Sequence, residues 1–168
     1  MQFFRRTAAK TAAWLACIAV AIGTATPAYA NVKMPEAPPW GACGLMTSET
    51  KVVRTFSTGY KLLCGGPRWS PNPASGYRHI IGKHKGEFQT LAATLATGRN
   101  WRDLADFSIE WTLKDPDRVS NGGAGKVCQS RTLYLANNNG RVVLTRTFRV
   151  ITATSSRSII TAYPGAPC

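Results

Sequence analysis

The stretch RTLYLANNNGRVVLTRTFRVITATSSRSIITAYP, residues 131–164, decides the fold. Residues 131–136, 141–153 and 158–163 are rich in Val, Leu, Ile, Thr and aromatics, the side chains that pack best on a pleated surface. Asn137-Asn138-Asn139-Gly140 separates the first two runs, and Asn and Gly accept the positive φ that a tight hairpin turn requires. Thr154-Ser155-Ser156-Arg157 supplies a second turn. Three consecutive strands joined by short turns read as an antiparallel meander.

Upstream the period changes. Phe88, Leu91, Ala92 and Leu95 recur at i, i+3, i+4 and i+7, one buried face of a helix that Gly98 ends. Asn100 caps a second helix, with Asp103 in its first turn to complement the positive end of the helix. Leu104, Phe107, Ser108 and Trp111 form its apolar stripe, joined by Trp101, and Asp115-Pro116 stops it. A loop containing Gly122-Gly123-Ala124-Gly125 leads into the strands. Helices followed by a meander give an α+β fold: N-terminal helices packed on an antiparallel β-sheet meander, stapled by disulfides. This unit spans residues 76–168. Residues 31–75 read as an extended arm and loop segment with two cysteines, folded together with it. The arm holds a strand or short hairpin around residues 51–56, and three prolines make 65–76 irregular.

At the N-terminus, Arg5, Arg6 and Lys10 precede an apolar run over residues 11–22, then a break and the small-x-small triplet Ala28-Tyr29-Ala30. This is the pattern of a signal peptide over residues 1–30, cut after Ala30, and the run is too short to span a membrane. The expected location is secreted, periplasmic or extracellular, with no transmembrane segment after processing. Removing residues 1–30 takes three of the 21 basic residues and none of the eight acidic ones, leaving 138 residues with a net charge of +10. That excess favours polyanionic partners such as nucleic acid or anionic envelope polymers. Four cysteines remain, Cys43, Cys64, Cys128 and Cys168, an even count that implies two disulfides in an exported chain. Cys43–Cys64 and Cys128–Cys168 are the preferred pairs, one closing the arm on itself and one pinning the C-terminus to the start of the sheet. The crossed pairings stay open. No Cys-x-x-Cys pair or Cys/His cluster has zinc spacing, so no metal or other cofactor is expected.

Two histidines, His79 and His84, fall inside the basic patch Arg78, His79, Lys83, His84, Lys85. Histidine exchanges a proton near neutral pH, and the cations beside it suit a phosphate. Spaced by five, the two rings point about 140° apart on a continuous helix, and Gly82 between them is a place to turn. Glu87, three residues after His84, is a candidate to orient it or to act as a base; the plain reading is an ordinary first-turn acid. In the last strand a period of two puts Thr161 and Tyr163 on one face, with Ile160 and Ala162 on the other. In the long strand Arg146 shares parity with Val142, Leu144, Phe148 and Val150, an unfavourable place for a charge unless it is paired or at a ligand. Arg149 lies on the opposite face with Thr145 and Thr147. Asp103, Asp106 and Glu110 read as partners for nearby cations.

The order Gly76-Tyr-Arg-His-Ile…His84, two helices with Trp101-Arg102-Asp103, and a meander ending Ile160-Thr-Ala-Tyr-Pro-Gly165 resembles the barnase–EndoU–colicin–RelE group of ribonucleases. It is most similar to the toxin domains at the C-termini of bacterial contact-dependent inhibition and polymorphic toxins. The likeness covers roughly residues 76–165. It implies a metal-independent ribonuclease with a toxin role, cleaving RNA by attack of the 2′-hydroxyl to leave a 2′,3′-cyclic phosphate. His79 and His84 would be the proton-transfer pair, and Thr161 and Tyr163 would line the scissile phosphate. Arg146 would clamp its charge, with Arg78, Lys83, Lys85 and Arg149 binding substrate. A ribonuclease harmful to its producer would need a small acidic immunity or inhibitor protein. The chain is expected to be a monomer. The competing reading is a non-catalytic cationic binder of nucleic acid or envelope polymers, marked by histidines far from Thr161 and Tyr163.

Overall fold

The computed structural model describes residues 34–66 and 74–168; the signal peptide expected over residues 1–30 and its expected cleavage point lie outside them. The described elements are strands β1 (Val52–Thr55) and β2 (Lys61–Leu63), helices α1 (Gly76–Lys83), α2 (Lys85–Thr94) and α3 (Trp101–Lys114), and strands β3 (Arg118–Gly123), β4 (Lys126–Ala136), β5 (Val142–Ala153) and β6 (Ile159–Pro164). The fold is α+β. β1 and β2 form an antiparallel hairpin inside the arm, and β3-β4-β5-β6 form a four-stranded antiparallel meander. Among the described residues no helix is long and apolar enough to cross a membrane.

The meander has one strand more than the sequence pattern suggests. Residues 118–123 are almost wholly exposed and carry no alternating apolar signal, yet they pair with β4 from Arg118 opposite Ser130 to Gly123 opposite Lys126. Backbone pairing alone makes this edge strand, so a reading based on hydrophobic period sees only a loop. β4 correspondingly begins at Lys126 and carries Cys128 inside the sheet.

One sheet face packs on the helices. Leu133, Leu135, Phe148, Val150, Ile159 and Ala162 are buried there against Ile80, Phe88, Ala92, Leu95, Leu104 and Ile109. Phe88 stacks on Phe148 at 6.0 Å between ring centroids. α3 is buried on more than its expected stripe, because Asp103, Ala105, Asp106, Ile109 and Thr112 are buried as well. The arm covers that second side. Asp103 accepts from the Ala37 backbone N–H at 2.9 Å, and Asp106 accepts from Trp40 Nε1 and Arg54 Nε, each at 2.8 Å. Glu110 accepts from Ser57. Asp106 does pair with a cation, but with Arg54 of the distant arm; Asp103 and Glu110 bond to arm backbone and hydroxyl donors instead, and Asn100 and Asp103 also complete a capping box.

Two disulfides, Cys43–Cys64 and Cys128–Cys168, close with Cα separations of 5.7 and 5.9 Å, the pairing preferred from sequence. At the start of α1 two backbones nearly touch. A Cβ on Gly65 would lie 1.7 Å from the Ser75 carbonyl oxygen, and one on Gly76 would lie 2.5 Å from that of Leu63. Both residues have positive φ, so only glycine lets the arm cross under the helix and aim α1 at β6.

Candidate active site

The sequence expectation that a continuous helix would keep the histidines apart fails at His84 itself. That residue lies between α1 and α2 with φ −119° and ψ −6°, outside both helices, so the chain breaks there and not at Gly82. The break brings the His79 and His84 rings to 5.5 Å, edge to face. The other side of His84 stacks on Tyr163 of the edge strand β6, at 4.7 Å and 17° between planes. Glu87 takes the first-turn place and the place beside His84 together. It sits in the first turn of α2, and its Oε1 lies 3.2 Å from His84 Nδ1, leaving Nε2 of that ring for a substrate.

Sheet register assembles the rest. Ser130, Arg149 and Tyr163 are directly opposed across β4, β5 and β6, as are Cys128, Ile151 and Thr161. Opposed residues share a face, so Arg149, Thr161 and Tyr163 project together. The Arg149 guanidinium carbon is 5.8 Å from the Tyr163 ring centroid. Gly165 permits this contact, since a Cβ there would fall 3.1 Å from Tyr163 Cε2 and 3.2 Å from Arg149 Cδ. The C-terminal residues then cross the same face: the Cys168 N–H donates to Ser130 Oγ and its sulfur bonds Cys128.

Two arginine assignments change. Arg146 lies opposite Leu133 on the predicted face, but it is exposed there while Leu133 is buried. It is not a buried charge, and Arg149 is the arginine beside Tyr163. Arg78 borders the same small concavity as His79 and Lys83, but its guanidinium is taken up by the arm. Its guanidinium donates to the carbonyl oxygens of Gly65, Gly44, Leu45 and Thr47, locking the arm turn onto α1. Lys83 borders a small concavity with His79 and Gly82, and Lys85 reaches over the Trp101 ring at 6.0 Å. The parity that pairs Ile160 with Ala162 is broken by a bulge between Ile159 and Thr161, so Ile159, not Ile160, is buried with Ala162. Thr161 and Tyr163 keep their shared face.

His79 Nδ1, Arg149 Nε and Thr161 Oγ1 are buried without a hydrogen-bond partner. Buried polar atoms are nearly always satisfied, and here unsatisfied ones occur at His79 and Arg149, which flank the His84–Tyr163 stack, and at Thr161 on the Arg149 face. Arg149 and Lys83 make no ion pair among the described residues, so cationic charge is left uncompensated beside the rings.

No protein-family model matches the chain. It is 35% identical over 135 residues to the uncharacterized protein Rv0739 of Mycobacterium tuberculosis strain H37Rv and, to the same extent, to the uncharacterized protein MT0764 of strain CDC 1551. The alignment covers 74% of this chain and 49% of each relative, so the chain spans about half the length of the curated relatives it matches. No solved structure matches it.

Burial lowers the His79 pKa below its ordinary value of 6.5, and the neighbouring His84 and Lys83 push the same way. The fold thus favours the neutral form of His79. Below pH 6.5 the unfolded chain binds a proton that the native state resists. Stability contributed by His79 is therefore present above that pH and is lost as the pH falls through the lower folded value. An NMR titration should find His79 below 6.5, and Lys83→Met should move it upward. A value at or above 6.5 in the wild type would show that burial and the neighbouring cations do not depress this ring.

Proposed function

We propose that this protein is an exported, metal-independent ribonuclease with a toxin role. The observation that carries the reading is His84 set edge-on to His79 and stacked on Tyr163, with the Arg149 guanidinium carbon 5.8 Å from the same phenol ring. Neutral His79 takes the proton of an RNA 2′-hydroxyl, whose oxygen attacks the adjacent phosphorus. His84, oriented by Glu87, protonates the departing 5′-oxygen. Arg149, the Thr161 hydroxyl and the Tyr163 phenol stabilise the charge on the phosphoryl oxygens, and each of the first two brings a polar atom that the fold leaves unsatisfied. The product is a 2′,3′-cyclic phosphate. DNA lacks the attacking hydroxyl and should remain intact. The non-catalytic binder would keep its histidines away from Tyr163, and the ring stack speaks against it.

The two disulfides support export to an oxidising compartment. A small acidic inhibitor would cover the cationic face around Arg149 and Lys83. The test is incubation of a mixed RNA substrate with oxidised residues 31–168 in excess EDTA. Cyclic-phosphate ends on RNA, with a matched DNA untouched, support the reading. RNA bound but intact overturns it in favour of the cationic binder.

A further inference from the structure

Residues two apart on a helix project about 200° from each other, so Tyr77 lies on the side of α1 away from His79. There Trp40, Tyr77, Trp101 and Arg102 line a concavity of about 390 Å³ that the cleavage chemistry does not use. The Trp40 ring stands edge-on to Tyr77 at 5.9 Å and to Trp101 at 6.0 Å, and its Nε1 donates to Asp106. The aromatic corner is therefore fixed in place. Arg102 makes no ion pair among the described residues, and its Nε has no acceptor. The Asn100 Oδ1 accepts from the Arg102 and Asp103 backbone N–H groups, which leaves its amide NH₂ available. Asp103 and Asp106 face the same region, and both are already held by arm donors.

Flat aromatic walls, an unsatisfied guanidinium N–H, a free amide donor and a lysine over one ring suit a planar ring that carries acceptors and hangs from an anionic backbone. Lys85 directly follows His84 in the chain, so a strand crossing the α1–α2 corner meets both places. We propose that this concavity is a nucleobase subsite. It takes one unpaired base of the RNA strand next to the scissile phosphate, with Arg102 Nε donating to an acceptor on the base edge and Lys85 Nζ placed for the adjoining phosphate. The assignment rests on the ribonuclease reading and deepens it.

Two measurements separate the subsite from the chemistry. The first is the ratio of kcat/KM for a tetranucleotide to that for a dinucleotide. It should exceed one by about tenfold in the wild type and collapse toward one in both Trp101→Ala and Arg102→Met. Arg102→Met leaves the aromatic corner in place and guards against a folding defect. The second is quenching of tryptophan fluorescence by a non-cleavable 2′-O-methyl tetranucleotide, which needs no turnover. Quenching lost in Arg102→Met supports the subsite. Quenching without any RNA cleavage by wild type keeps the subsite and overturns the ribonuclease reading. A ratio near one in the wild type, a ratio unchanged in both variants, or quenching by an oligosaccharide but not by the oligonucleotide overturns the subsite while cleavage stands.

Discussion

Replacing His84 with alanine should slow RNA cleavage by about a thousandfold or more, and Arg149→Ala by about a hundred- to a thousandfold, while Arg146→Ala should change it less than about twofold. His84 is the one residue that touches His79, Tyr163 and Glu87, so its loss removes a proton donor and the ring that spaces the others. Arg149 sits opposite Tyr163 and makes no ion pair among the described residues; a phosphate oxygen would give it the anionic partner it lacks. Arg146, three residues earlier, is exposed and on the other face. The comparison is made on single-turnover rates, with circular dichroism and thermal melting showing that each variant folds. Equal losses for Arg146 and Arg149 would mean that nonspecific cationic charge, not a built clamp, drives the reaction.

The inversion between these two arginines shows what a sequence pattern can and cannot reach. Alternation along β5 separates them onto opposite faces correctly, because side chains in a strand have a period of two. What covers each face does not follow from that period. On the helix-covered face Phe148 is buried while Arg146, two residues earlier, is exposed, and the C-terminal residues return over the other face to Ser130. Those are long-range facts, invisible in the local pattern. The two helices and the three apolar strands were legible because their periodicity is the packing itself. β3 was hidden because its six residues bury nothing on the core. Both histidines were found through their chemistry, but an ideal helix drives them apart. The break at His84 that unites them depends on tertiary packing of α1 against β6 and of Phe88 against Phe148. Trp40, Tyr77 and Trp101 carried no joint signal, since they lie on the arm, α1 and α3 and meet only in the fold.

Removing the Cys128–Cys168 disulfide by paired serine substitution should cost about 4 kcal/mol, and removing Cys43–Cys64 about 3 kcal/mol. The bridges close segments with separations of 40 and 21 residues, and the longer loop gains more freedom in the unfolded chain when it is cut. Melting temperatures should fall by roughly 10–20 °C in each case. Activity below the melting point should separate the two. Cys168 ties the C-terminal residues across the face that carries Arg149 and Thr161, and Gly165 in that segment touches both Arg149 and Tyr163. Without the bridge those side chains regain rotamer freedom, and the cleavage rate should drop about tenfold even where the protein is fully folded. Cys43–Cys64 lies beside the Arg78 knot, where several carbonyl oxygens still hold the arm turn to α1 after the sulfurs are gone. That variant should lose stability and keep its rate on a dinucleotide, which does not reach the concavity that Cys43 helps line, within about twofold. Equal rates in both variants at a temperature where both are folded would show that the C-terminal segment only stabilises the sheet and does not position Arg149.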